Sequence, residues 1–120
     1  MRTTFGRNLK ITVAEQHRNA LSAILAGVLG AEKGTPRPNL DTFKLDDGFN
    51  IGFFFVPASQ ALAEDAMHIA PWLELLVDDP ENAARAVIAH GAGRVEYEDK
   101  SHPYVKLPGG LTLRFARASG

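Results

Sequence analysis

The sequence predicts an α+β fold built from two copies of a strand–helix–strand–strand–strand unit, and three observations carry that reading. Segments of strand period and of helix period succeed one another in the same order in both halves of the 120 residues. Leu9, Val13, Ala20, Ile24, Gly27 and Glu32 recur as Leu73, Val77, Ala84, Ile88, Gly91 and Glu96 at a constant offset of 64. Lys44, Leu45, Gly48 and Phe53 recur as Lys106, Leu107, Gly110 and Phe115 at an offset of 62, a two-residue gap in a loop absorbing the difference. Each match is weak alone, but this many in one order, at strand, helix and turn positions, mark an internal repeat.

The elements follow in order. Leu9-Lys10-Ile11-Thr12-Val13 alternates apolar and polar residues, as a half-buried strand does. From Arg18 to Leu29, Leu21, Ile24, Leu25 and Val28 share a helical face, and Gly30 suits the helix C-terminus. Gly34, Pro36, Pro38 and Asn39 read as a loop. Thr42 to Leu45 and Phe49 to Val56 read as strands joined through Asp46-Asp47-Gly48, a hairpin signal. Residues 57–71 lose periodicity and read as an Ala-rich linker with room for one helical turn. Then Leu73 to Val77 is a strand, and Pro80 to Ala89 a helix with Asp79 as N-cap and Pro80 in its first turn. Gly91 and Gly93 end that helix. Arg94 to Tyr97, Tyr104 to Leu107 and Leu111 to Phe115 are the remaining strands, the last two joined by Pro108-Gly109-Gly110. Residues 1–120 thus read as one domain with repeats at about 8–56 and 72–117.

Composition excludes several functions. A chain of this length buries a core without disulfide staples, and 45% hydrophobic with 22% charged residues is ordinary for a globular protein. Thirteen Lys and Arg against fourteen Asp and Glu leave a formal net charge of −1, with none of the basic field that binds nucleic acid. The absence of cysteine removes disulfides, thiolate nucleophiles and Cys-type zinc sites, and is compatible with a reducing cytoplasm. Residues 1–8 lack the apolar core of a signal peptide. Ala20 to Ala31, the longest apolar-leaning stretch, is short of the roughly 20 residues a membrane span needs. The expectation is a cytoplasmic protein with neither nucleic acid nor membrane as partner.

The repeat, the stretch Leu73-Glu74-Leu75-Leu76-Val77-Asp78-Asp79-Pro80-Glu81-Asn82-Ala83-Ala84 and the looser Leu107-Pro108-Gly109-Gly110-Leu111 before the last strand resemble the vicinal oxygen chelate superfamily. That superfamily includes glyoxalase I, the bleomycin-resistance proteins and the extradiol dioxygenases. The resemblance covers about residues 8–117. It implies two βαβββ repeats forming a curled mixed β-sheet around a cleft, with helices on the outside. It also implies a homodimer, the cleft lying within one chain or across two.

Strand alternation indicates which side chains face that cleft. With Leu9, Ile11 and Val13 under the first helix, Asn8, Lys10 and Thr12 point the other way. With Leu73, Leu75 and Val77 under the second, Trp72, Glu74 and Leu76 take the cleft side, joined by Tyr104, Lys106, Thr112 and Arg114. Phe54 faces the cleft or a partner subunit between Phe53 and Phe55, which pack inward. Metalloenzymes similar to this chain carry a His on the first strand and a Glu on the last strand of each module, leaving open positions for substrate oxygens. The matching positions here hold Asn8, Trp72, Gly52 and Arg114, a set that does not suit a divalent cation. No metal or other cofactor is therefore expected. The resemblance then implies a non-catalytic small-molecule-binding protein of the bleomycin-resistance type; Trp72 suits an aromatic or amphipathic ligand and Arg114 an anionic one. Phe54 and Trp72 would bury that ligand, and Asn8, Tyr104 and Arg114 would orient it. Glu74 reads either as a cleft-facing acceptor or general base, or as a salt-bridge partner of Lys10 or Arg114. The alternative is a glyoxalase-like lyase, isomerase or dioxygenase, using Glu74 as base or a non-standard metal set of His68, His102 and Glu74. A third reading is a regulatory domain whose cleft is filled by its own side chains. His17 and His90 are expected at exposed helix ends, and no serine lies in a nucleophile-elbow context.

Overall fold

The computed structural model describes residues 1–3 and 5–118, the side chains of 67–69 excepted. The first module comprises β1 (Asn8–Ala14), a 3-10 turn (Glu15–His17), α1 (Arg18–Ser22) running on as a π-helix over Ala23–Val28, β2 (Glu32–Arg37), β3 (Leu40–Lys44) and β4 (Asn50–Val56). Two 3-10 segments, Ala58–Gln60 and Glu64–Ile69, occupy the linker, more helix than the one turn expected there. The second module repeats the order with β5 (Leu73–Val77), α2 (Pro80–Ile88), β6 (Gly93–Val95), β7 (Tyr104–Lys106) and β8 (Thr112–Arg117).

Each module forms its own four-stranded mixed sheet, ordered β1-β4-β3-β2 and β5-β8-β7-β6. In both, the first strand runs parallel to the last, Leu9 beside Ile51 and Leu73 beside Leu113, while the other pairs are antiparallel. The α+β class and the βαβββ repeats are as expected. The sheets differ from the expectation of one curled sheet in that β1 and β5 each end a separate, open sheet.

The repeat extends to the hairpin hydrogen bonds. The Gly48 amide donates to the Leu45 carbonyl at 2.9 Å, and the Gly110 amide to the Leu107 carbonyl at 2.8 Å. The central glycines have φ of +89° (Gly48), +92° (Gly109) and +105° (Gly110), the left-handed region that glycine enters without steric penalty. At the head of α2, the Asp79 carboxylate accepts from the Asn82 amide at 3.1 Å, which is the expected N-cap.

One apolar core draws on both modules, with Leu21, Ile24, Leu25, Phe43, Phe53 and Phe115 among its fully buried members. Leu9, Ile11, Val13, Leu73, Leu75 and Val77 all join it, so the strand alternation holds in both repeats. Each helix buries one face and keeps the other exposed, at Ala23 and Gly27 or at Glu81 and Arg85.

Three further elements depart from expectation, β6 by ending at Val95 where a strand to Tyr97 is expected. Gly34 to Asn39 is not a loop, because most of it is β2, an edge strand where Pro36 does not interrupt a central ladder and whose register breaks between Gly34 and Arg37. Buried Asp41 on β3 holds β2 in place: it accepts from Thr35 at 3.0 Å and from Arg18 of α1 at 2.7 and 3.0 Å. The first helix is α-helical only over Ser22 and before. Beyond that the Leu29 amide reaches back five residues to Ile24, and the Ala31 amide closes the end on the Leu25 carbonyl. His17, expected to be exposed, has only 17% of its side-chain surface accessible and meets Glu64 of the linker at 3.1 Å.

Candidate functional site

The helix-free face of the second sheet carries a connected group of polar and aromatic side chains. The register aligns Glu74, Arg114, Tyr104 and Val95 in one row across β5, β8, β7 and β6. Because side chains opposite one another across strands lie within contact range, the row brings three of the predicted site residues together. Arg114 donates from Nε and Nη2 to a single oxygen, Oε2 of Glu74, at 2.9 and 2.5 Å. Its Nη1 lies 3.4 Å from the Tyr104 hydroxyl and 3.7 Å from Oδ2 of Asp99. Its guanidinium carbon stands 4.5 Å from the centre of the Trp72 ring, a cation–π distance. Trp72 and Tyr104 meet edge to face at 5.9 Å, and Tyr97 and Tyr104 at 4.7 Å.

Asp99 is the hub behind this row. Its carboxylate accepts from the Ser101 amide at 2.8 Å and from the Ser101 and Tyr104 hydroxyls, and it contacts His102 Nδ1 at 2.9 Å. The Ser101 hydroxyl and amide, followed by His102 and Tyr104, hold the Asp99 carboxyl well below the usual carboxylate range. The Tyr104 hydroxyl, then Glu74, push the Arg114 guanidinium above its ordinary value, so it stays charged at any working pH. Ser101, His102 and Asp99 do not form a nucleophile relay, because both partners engage the same ring nitrogen, Nδ1.

Among the predicted residues, Trp72, Glu74, Tyr104 and Arg114 converge. Asn8 and Phe54 lie on the first sheet, where Asn8 is paired with Asn50 in the ladder and Phe54 receives Lys10 Nζ at 4.9 Å from its ring. Glu74 therefore pairs with Arg114 and not with Lys10. Asp99, Ser101 and Tyr97 were not singled out from sequence. The Asp99-x-Ser101 turn just before Pro103 was the available signal, since Asp side chains commonly close such turns on an amide two residues on.

The donor positions implied by the fold do not suit a metal. Arg114 would place a cation where a ligand is needed, Gly52 offers no side chain, and Trp72 offers no lone pair. Among the described residues no three His, Asp or Glu side chains converge as a metal-binding group. His102 is held by Asp99 and Glu74 by Arg114, while the side chain of His68 lies outside the described residues. A cavity of about 560 Å³ runs along β5 beside the end of the first helix and the β3–β4 turn, with Glu74, Leu76, Leu29 and Phe49 in its lining. Of the predicted site residues only Glu74 borders it. No helix among the described residues is long and apolar enough to cross a membrane.

No protein-family model and no curated protein matches the sequence. Solved structures do match. The fosfomycin resistance protein FosX of Listeria monocytogenes, complexed with Mn(II) and sulfate, superposes with a TM-score of 0.70 at 11% identity over 99% of this chain and 93% of that one. A glyoxalase-related enzyme of Fulvimarina pelagi gives 0.68 at 12% identity over 97% and 89%. A glyoxalase/bleomycin resistance protein of Albidiferax ferrireducens gives 0.66 at 16% over 95% and 98%. Likeness at this level of identity concerns the fold, and the chain has the paired-βαβββ fold of the glyoxalase, bleomycin-resistance and FosX proteins of the vicinal oxygen chelate superfamily.

Proposed function

We propose that the chain is a vicinal oxygen chelate protein that has lost the metal site and acts as a non-catalytic small-molecule-binding protein of the bleomycin-resistance type. The observation that carries this reading is Arg114. It stands on the last strand where a metal ligand would be needed, stacked on Trp72 and hydrogen-bonded to Glu74. A guanidinium there has no lone pair to give a divalent ion, and its donor edge, shared now with Glu74, suits an oxyanion. Trp72 and Phe54 supply apolar contact, and Asn8, Tyr104 and Arg114 orient a small aromatic, anionic ligand. A homodimer fits this reading. Within one chain Asn8 and Phe54 keep to the first sheet and Trp72 and Arg114 to the second, and a second copy offers each sheet a facing module. The cytoplasm is the proposed compartment, in keeping with the absence of cysteine.

One observation favours a glyoxalase-like enzyme as second reading: both Arg114 bonds fall on Oε2 of Glu74, leaving Oε1 outside that pair as a candidate base or non-standard metal ligand. Melting with and without Zn²⁺, Ni²⁺, Mn²⁺ and Fe²⁺, beside a Trp72 fluorescence titration with aromatic anions, separates the two. The binding-protein reading expects no metal-induced rise in Tm and a saturable fluorescence change. A Tm rising with the logarithm of metal concentration, and abolished in Glu74→Ala, favours the enzyme.

A further inference from the structure

The Arg114–Glu74 pair has an asymmetry that bears on ligand choice. The Nε/Nη2 edge of a guanidinium matches the two oxygens of a carboxylate, one bond to each. Glu74 presents one oxygen to both donors, at 2.9 and 2.5 Å. It is therefore an imperfect occupant of that edge. The far side of Arg114 is held independently, by Tyr104 at 3.4 Å and Asp99 at 3.7 Å. Asp99 is itself held by Ser101, His102 and Tyr104. Withdrawal of Glu74 would leave the guanidinium in place over Trp72, 4.5 Å from the ring. The pair is also partly open to water, with 24% of the Arg114 and 35% of the Glu74 side-chain surface accessible, so solvent screens it and it exchanges readily.

We infer that Glu74 is an exchangeable internal stand-in for the ligand's own oxyanion. A small aromatic carboxylate displaces it, takes the Nε/Nη2 edge of Arg114 with both oxygens, and lays its ring against Trp72. Glu74 then sets specificity, since a neutral or cationic aromatic gains nothing by displacing it. The inference rests on the small-molecule-binding reading and names the ligand class for that site.

The test uses benzoate as probe, with benzamide as its neutral counterpart, each titrated against the fluorescence of Trp72, the chain's one tryptophan. In Glu74→Gln the competitor's charge is gone while its shape remains. Benzoate affinity is expected to rise roughly two- to fivefold, the size of an exposed ion pair's contribution, with benzamide unchanged. Arg114→Gln is expected to abolish the preference for benzoate over benzamide, with Tm and circular dichroism confirming that both variants fold. Benzoate binding the wild type as tightly as Glu74→Gln, or more tightly, would overturn the exchange while leaving the binding reading intact. No saturable response to either probe in any folded variant would overturn both.

Discussion

Asp41 is fully buried on β3, and a carboxylate there persists only because its oxygens are satisfied. Burial pushes its proton affinity up. The Arg18 and Thr35 hydrogen bonds and the charges of Lys33 and Arg18 outweigh that, and the net shift is downward. With the folded value below the unfolded one, the pair's stabilisation is present above the unfolded carboxylate range and lost as pH falls through the folded value. Urea unfolding at neutral pH and at roughly pH 3 should therefore show a loss for the wild type that is smaller in Asp41→Asn. At neutral pH that variant is expected to be less stable by about 2 kcal/mol or more, because it strands part of a buried pair. Thr112 presents the opposite case. It is 2% exposed and its hydroxyl finds no hydrogen-bond partner among the described residues, so Thr112→Val should raise stability by about 1 kcal/mol, read by thermal melting. Period-two alternation located Trp72, Glu74, Tyr104 and Arg114. It did not extend to Asp99, which lies in a turn without period, or to Asp41, one position before the strand expected to begin at Thr42.

At the scale of elements, glycines separate local from long-range demands. Gly109 in the β7–β8 turn has φ of +92°, and a Cβ there would lie 2.8 Å from Cγ1 of Val13 on β1. This turn of the second module is seated on the first. Gly109→Ala combines left-handed strain with that overlap and should cost about 2 kcal/mol or more in chemical denaturation. Gly27, on the exposed side of the π-helical segment, has nothing among the described residues, its own turn of helix apart, within 4 Å of an added Cβ. Gly27→Ala should stabilise by about 0.5–1 kcal/mol through the unfolded chain's lost freedom. The helices and hairpins were legible because caps, helical spacing and turn residues are local signals. β2 was not, since Gly34 and Pro36 carry loop signals and only the bond from Thr35 to Asp41 and the pairing with β3 make them a strand. The π winding of Ala23–Val28 was likewise hidden, because six residues of apolar pattern barely distinguish it from an α-helix.

At the scale of the molecule, each sheet ends, among the described residues, in a strand with an unpaired edge, and two of the larger exposed apolar side chains lie together there, Leu76 on β5 at 60% exposure and Trp72 just before it at 42%. An open apolar edge is a pairing surface unless something covers it. Under the proposed homodimer, Leu76→Lys should shift the sedimentation mass from dimer to monomer. Because Leu76 is exposed in the single chain, the variant's monomer stability should stay within about 0.5 kcal/mol of the original. A mass equal to one chain in the wild type would remove the two-copy cleft.

The internal repeat, the strands other than β2, the turns and caps, and the side chains that share each sheet face were legible in the sequence. Those features follow from backbone periodicity and turn chemistry, which act between neighbours in the chain. That Arg114 takes Glu74 instead of Lys10, that Asp99 anchors the row, that β2 is a strand and that the Gly109 turn rests on Val13 emerges from the folded chain alone. These contacts join residues tens of positions apart, and which of several possible partners wins depends on how two sheets and two helices fill one core.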